Sequence, residues 1–320
     1  MIVTIQYLRG MAAMLVVLAH IDAQLLRLTD EQVSLGAAAG LWGVDIFFVI
    51  SGLIMYRAGI ASDIAPGRFL LNRAVRIVPL YWTLTLLVAA AAFLMPALFS
   101  STRFDPLHLL ASLLFLPWPN PAYPGYWPVL IPGWTLNLEF FFYGVVALAL
   151  LLPARRRLLG ASAMMSAAFL ALAIARPAGP LSFYANDVLL EFVFGLLIGA
   201  ISARRQPGPL VGAVLILAAI GTVWWHGDVD ERLPRSLAYG VPAMFLVFGS
   251  LQFEALARRH PFRPLRHLGD ISYSLYLTHV IALPAVAALF ARLAGANPPA
   301  IWAYPVLAAA AAIAVAMASY

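Results

Sequence analysis

Within "YLRGMAAMLVVLAH", residues 7–20, a guanidinium and an imidazole stand near the two ends of an otherwise uncharged apolar run. Eleven positions separate Arg9 from His20, close to three turns of an α-helix. The two side chains therefore share one face, about 16 Å apart along the axis. Ionisable groups inside membrane-grade helices are costly, and they face a bundle interior or a cavity when they occur. Besides Arg9 and His20, the apolar runs carry Asp22, Asp45, Glu139, Asp187, Glu191, Asp270 and His279. A histidine whose second nitrogen is held by a carboxylate is a strong general base for a hydroxyl proton. Glu139 falls about 8 Å inside the run that begins near Trp134, and Asp45 falls at a similar depth in its own run. His20, Glu139 and Asp45 are thus expected to converge in one layer. The plainer alternative for His20 is a hydrogen bond to a neighbouring helix. Arg73 and Arg76, three positions apart, are adjacent on a helix surface. Paired guanidiniums suit bidentate phosphate binding, although composition alone explains them as topology.

The elements that must hold these groups are set by composition. The chain has 320 residues, of which 63% are hydrophobic and only 11% charged; its mean hydropathy is +0.90. Globular domains are about 45–50% apolar. Apolar runs of about 20 residues, the length that crosses a bilayer, recur from end to end. Backbone in hydrocarbon must satisfy its own hydrogen bonds, so the fold class is an all-α integral membrane bundle. Spans are predicted at roughly 4–26, 38–57, 78–98, 134–153, 158–175, 185–203, 210–226, 236–256, 270–291 and 300–320. The first run has no small-x-small cleavage site after it, which makes it a retained helix rather than a signal peptide. No cysteine is present, so disulfides, thiol nucleophiles and thiolate metal sites are excluded, and no metal site is predicted.

The net charge of +6 reads as topology, not as nucleic-acid binding. Alternate loops hold Arg57, Arg68, Arg73 and Arg76, then Arg155, Arg156 and Arg157, then Arg204 and Arg205, then Arg258, Arg259, Arg263 and Arg266. The opposite loops hold only Arg27, Arg103, Arg176, Arg232, Arg235 and Arg292. Cytoplasmic loops carry the excess of arginine, so the N-terminus and, with ten spans, the C-terminus are expected in the cytoplasm. The longest connection, residues 100–133, lies outside. Its "DPLHLLASLLFLPW" is too short to span and reads as an interfacial or re-entrant helix. Its Pro- and Trp-rich tail reads equally as an aromatic lid or as a membrane-interface belt. No internal repeat appears, and the whole of 1–320 reads as one transmembrane domain.

Taken together, "YLRGMAAMLVVLAH", "GVDIFFVISGLIMY", "NRAVRIVPLYW", "GWTLNLEFFFY" and "GDISYSLYLTHV" resemble the ordered signature of the integral-membrane acyltransferase-3 family. The first and fourth blocks are similar to its exopolysaccharide-modifying branch. Members transfer an acyl group, commonly acetyl from acetyl-CoA, to a hydroxyl of a carbohydrate or other acceptor. Their marks include an arginine separated by ten residues from a histidine, matched by Arg9 and His20. An Arg-x-x-Arg is matched by Arg73 and Arg76, and a Trp-Ser/Thr-Leu-x-x-Glu block by Trp134, Thr135, Leu136 and Glu139. The tyrosine-rich ninth-helix motif is matched by Ser272, Tyr273, Ser274, Tyr276 and His279. Members usually continue into a Glu-x-Pro tail, so the resemblance implies a chain shortened at Tyr320.

The resemblance implies a bacterial cytoplasmic-membrane enzyme with acyl-CoA as co-substrate and no tightly bound cofactor. Its other partners would be membrane lipids and a carbohydrate or lipid-linked oligosaccharide. His20 would act as base, fixed by Glu139 or Asp45. Arg9, Arg73, Arg76 and Tyr81 would bind acyl-CoA, with its pantetheine arm threading from the inner arginines toward the imidazole. Trp134, Asn137, Glu191, Tyr273, Tyr276 and His279 would support the substrates. A rival from another class is a proton-coupled carrier, since buried Asp, Glu and His also serve such proteins. The broken helices and repeats that carriers often show are absent from the pattern.

Overall fold

A computed structural model describes residues 2–29, 37–98, 102–226, 233–294 and 303–320. Arg232, the start of the 100–133 connection and the first residues of the last predicted span lie outside them. All regular structure among the described residues is helical. The elements are α1 Val3–Thr29, α2 Ala37–Met55, α3 Pro66–Leu94, α4 Pro106–Leu113, α5 Trp134–Ala149, α6 Ala154–Ala175 and α7 Leu189–Ser202. They continue with α8 Pro209–His226, α9 Val241–Leu251, α10 Glu254–Arg259, α11 Arg263–Asp270, α12 Ser272–Ala294 and α13 Tyr304–Ser319. Wider π-type turns follow α2 at Tyr56–Ile60 and precede α9 at Ser236–Gly240. Among the described residues, six helices are long and apolar enough to cross a membrane: Val3–Thr29, Gly40–Ile60, Pro66–Leu94, Ile131–Ala149, Ala154–Ala175 and Ser272–Leu293. The apolar helices Leu189–Ser202, Pro209–Trp225, Ser236–Leu251 and Tyr304–Ser319 are shorter.

The third helix differs most from expectation. It starts at Pro66, not near residue 78. Proline at the first helical position lacks only an N–H that would be unpaired anyway, and "GRFLLNRAVRI" then continues the helix although it is too polar to register as a span. Arg73 and Arg76 therefore stand on the helix itself, about 10 and 15 Å along it from Pro66. The expected short helix in the 100–133 connection is α4, two turns long, with the Asp105 side chain accepting the His108 N–H at 2.7 Å as its cap.

The chain forms two compact units. One comprises Met1–Ile50 and Ile201–Tyr320, the other Ser51–Ala200; the boundary falls within α2. In the first unit α1, α12 and α13 share a core of Ala13, Val17, Ile21 and Leu25, Leu275, Leu283 and Ala287, and Ala308, Ala312 and Ala316. The alanines recur every four residues on α13, so its small-residue face lets backbones approach, which is how helices associate where lipid removes the hydrophobic drive. The α1–α11 contact is closer still. A Cβ at Gly269 would lie 2.0 Å from the Gln6 carbonyl oxygen, so only glycine fits there. In the second unit α5 carries much of the core through Leu138, Phe142 and Val146. There a Cβ at Gly52 would meet the Phe192 carbonyl oxygen of α7 at 2.2 Å.

The start of α1 has no capping residue of its own. Its first N–H groups, unpaired in any helix, are taken by Glu254 of α10. Val3 N–H donates to Oε1 at 3.0 Å, and Thr4 donates to Oε2 through N–H and hydroxyl at 2.9 Å each. Arg258 adds a fourth hydrogen bond at 2.6 Å. Burial alone would raise the Glu254 carboxyl, but these bonds together outweigh it and hold the group below the usual carboxylate range. A carboxylate depressed in the folded state stabilises above its unfolded value and loses that contribution as pH falls through the folded one. Thermal stability in detergent should accordingly decline as pH drops below about 4.3. The Glu254→Gln variant should be less stable at pH 7 and should show less of that decline. Equal slopes in the two proteins would refute the cap.

Candidate active site

Of the ionisable residues singled out from the sequence, Arg9, His20, Asp45, Asp270 and His279 lie in the first unit, and Glu139, Glu191, Arg73 and Arg76 in the second. In the first, His20 is accessible on α1, and its Nδ1 lies 2.9 Å from the Val16 carbonyl oxygen one turn earlier. A carbonyl only accepts, so Nδ1 carries the proton and the neutral ring bears its lone pair on Nε2. The ring packs edge-to-face on His279 of α12, with centroids 4.6 Å apart and planes at 73°. His279 is fully buried; its Nδ1 likewise donates to the Leu275 carbonyl oxygen at 3.2 Å, and its Nε2 has no hydrogen-bond partner among the described residues. Tyr276 sits 6.0 Å from the His279 ring and 5.8 Å from Phe47, ring centre to ring centre. Tyr273, on the same helix, is half-buried.

The orienting group of His20 is therefore a backbone carbonyl, not the carboxylate expected from the sequence. Asp45 is committed elsewhere. Fully buried, it forms a two-pronged ion pair with Arg235, Nε to Oδ1 at 2.8 Å and one terminal nitrogen to Oδ2 at 3.2 Å. The same terminal nitrogen donates to the Leu41 carbonyl oxygen at 3.3 Å. A planar guanidinium matches a carboxylate in this way at little geometric cost. At the start of the same α1 face, Arg9 donates to Gln6 Oε1 at 3.3 Å, and Gln6 donates to Asp270 of α11 at 2.8 Å. Arg9 is thus joined to the packing of α1 on α11.

In the second unit, Glu139 is half-buried on α5. Its Oε1 accepts the Ser51 hydroxyl at 2.8 Å and the Tyr143 hydroxyl through a very short hydrogen bond. Tyr143 is one turn further along α5, and the charges of both Arg73 and Arg76 act on its hydroxyl. Arg73 is half-buried with an unpartnered Nε, and Arg76 is exposed. Among the described residues neither forms an ion pair with a carboxylate.

Tyr81, expected to touch acyl-CoA, has no surface with which to do so. It is fully buried, donates to the Ser112 carbonyl oxygen at 3.2 Å, and stacks at 4.9 Å on Phe115, which stacks on Phe140 at 3.8 Å. Its place is to fix α4 on α3. Trp134 opens α5 with its ring edge-on to Trp127 at 6.1 Å. Asn137 is fully buried with neither amide atom hydrogen-bonded among the described residues, and Glu191 is fully buried on α7. Tyr143, Ser51, Arg235 and His108 were not anticipated. Tyr143 was legible, since it follows Glu139 by four positions and so shares its helix face. Arg235 and Ser51 were not, because their partners lie 190 and 88 residues away. His108 is buried in the folded connection, 2.8 Å from the Trp127 carbonyl oxygen.

Comparison with known proteins gives this arrangement its context. The acyltransferase-3 family profile, an acyltransferase domain, matches residues 2–320. The chain is 38% identical over 265 residues to the exopolysaccharide production protein ExoZ of Rhizobium meliloti (strain 1021), covering 81% of this chain and 80% of that one. It is 32% identical over 293 residues to BcsY of Komagataeibacter xylinus, assigned as a membrane-bound transacylase, with 85% and 70% covered. Over 156 residues it is 30% identical to protein 2 in the picA locus of Rhizobium radiobacter, with 44% and 78% covered. No solved structure matches it. With a match along its whole described length and two relatives that cover most of it, the chain belongs to the acyltransferase-3 family and is a membrane-bound, acyl-transferring enzyme.

Proposed function

We propose that the enzyme crosses the bacterial cytoplasmic membrane ten times, with both termini inside. It would transfer an acetyl group from acyl-CoA to a hydroxyl of a carbohydrate, such as an exopolysaccharide or its lipid-linked precursor. The name of the Rhizobium meliloti relative supports the carbohydrate acceptor. Six long and four shorter apolar helices, together with the alternation of arginine-rich loops, support the ten spans.

One observation carries the chemistry: His20 is accessible, and a backbone carbonyl pins its Nδ1–H so that Nε2 is the basic nitrogen. In the proposed step Nε2 takes the acceptor hydroxyl proton as that oxygen bonds to the thioester carbonyl carbon. The carbon–sulfur bond then breaks, and the CoA thiolate leaves with the proton returned by His20. Arg73 and Arg76 bind the phosphates of acyl-CoA, as two guanidiniums without carboxylate partners suit a polyanion.

Purified enzyme incubated with radiolabelled acetyl-CoA and a carbohydrate acceptor should yield a labelled ester. Transport of the acceptor without ester formation would overturn the proposal. Loss of both guanidiniums in Arg73→Ala/Arg76→Ala should weaken acetyl-CoA binding by roughly 10²-fold, since hydrogen bonds to charged groups contribute about 1.5–3 kcal/mol each. An unchanged affinity would return the pair to a topological role.

A further inference from the structure

Among the described residues, Glu139 is held from one side only. Both hydroxyl donors, Ser51 on α2 and Tyr143 on α5, converge on Oε1. Among the described residues Oε2 receives no hydrogen bond, and the residue is half-buried, not sealed. A carboxylate locked through one oxygen and open at the other is a preorganised acceptor, because its rotamer is already restricted when a donor arrives. Ser51 and Tyr143 are themselves restrained. Tyr143 is buried, with its ring edge-on to Phe69 at 6.2 Å and tilted on Phe140 at 5.6 Å. The residue after Ser51, Gly52, is in backbone contact with α7.

The neighbourhood supplies the opposite polarity. Arg73 and Arg76 act on the hydroxyl of Tyr143, yet among the described residues neither is paired with a carboxylate. This unit thus offers, among the described residues, guanidiniums with no carboxylate partner and a carboxylate oxygen with no donor. A ligand that satisfies both carries phosphate and, within a few bonds of it, an O–H or amide N–H. The pantetheine arm of acyl-CoA, with its hydroxyl and two amides next to the pyrophosphate, has that pattern. We infer that Glu139 Oε2 accepts a hydrogen bond from the pantetheine arm of the acyl donor, and that Ser51 and Tyr143 are positioning residues which aim it. This inference rests on the reading of acyl-CoA as donor, and it separates Glu139 from the imidazole chemistry.

Affinities of the purified enzyme for acetyl-CoA and for adenosine 3′,5′-bisphosphate, which lacks the arm, test it. Glu139→Gln should weaken acetyl-CoA about tenfold or more, the loss expected for one hydrogen bond to a charged acceptor. Tyr143→Phe, which keeps the ring packing, and Ser51→Ala should weaken it in the same direction. None of the three should change affinity for the bisphosphate, whereas Arg73→Ala/Arg76→Ala weakens both ligands. Because Tyr143 acts through Glu139, the Glu139→Gln/Tyr143→Phe double variant should be no worse than Glu139→Gln alone. Wild-type affinity for acetyl-CoA in Glu139→Gln and Tyr143→Phe would overturn the inference and leave the donor reading intact. So would equal losses for both ligands. Wild-type enzyme that binds neither ligand would overturn the donor reading and this inference with it.

Discussion

Acyl transfer by the His20→Ala variant should fall by about 10²–10⁴-fold, the usual contribution of a positioned general base, with membrane expression unchanged. The expectation follows from two features of the residue. First, the imidazole is accessible, whereas its ring neighbour His279 is buried and Asp45 is taken by Arg235. Second, removing an accessible side chain leaves no sealed cavity, so the large packing costs of core truncation do not apply. His20→Gln is the sharper companion, because it retains polarity and approximate size but has no basic nitrogen; it should be as inactive as the alanine variant. Rates are to be measured as ester formation with thermal stability in detergent alongside. A fully active, normally folded His20→Ala protein would remove the proposed base. Loss of activity together with loss of folding would point to packing against His279 instead.

The largest stability effect is expected at Arg235. Truncating it to alanine leaves the Asp45 carboxylate fully buried without its cation. Breaking a buried pair from one side costs about 3–5 kcal/mol, because the desolvated charge remains while its compensation is gone. Arg235→Ala should therefore fail to accumulate as folded protein, or should lose much of its thermal stability. Replacing both partners, as in Asp45→Asn/Arg235→Met, removes the charge together with its mate and should recover much of the loss. The same double variant decides what Asp45 does. A stable and active protein means that the pair is a structural clamp between α2 and the turn that leads into α9. A stable but inactive one would restore Asp45 to the chemistry, as its depth in the sequence first suggested. A stable Arg235→Ala single variant would contradict the geometry.

Several particulars show how far reading along the chain reaches. The shared face of Arg9 and His20, the adjacency of Arg73 and Arg76, and the alignment of Glu139 with Tyr143 all follow from 3.6 residues per turn, a purely local property. The positions of the apolar helices follow as well, since hydrocarbon leaves a backbone few alternatives. The start of α3 was misjudged for a related reason. Hydropathy marks where a helix is apolar, not where it begins, and the turns that bear Arg68, Arg73 and Arg76 are helical but polar.

Partner choice lay beyond that reach. Depth in a span narrows the candidates for a buried acid or imidazole to a layer. Rotation about each helix axis, which the packing of neighbours settles, then selects among them. That rotation gave His20 the carbonyl of Val16 and the edge of His279 in place of a carboxylate. It gave Asp45 to an arginine that the loop pattern had assigned to topology. It also directed two hydroxyls to a single oxygen of Glu139. The N-terminus of α1 is the clearest instance, because its cap arrives from Glu254, some 250 residues away along the chain. By itself the sequence determined an all-helical fold with helices long and apolar enough to cross a membrane, the family, and which helix faces bear ionisable groups. Only the tertiary structure decided which of those groups meet, because hydrogen bonds and ion pairs depend on ångström-scale approach between helices that no local period encodes.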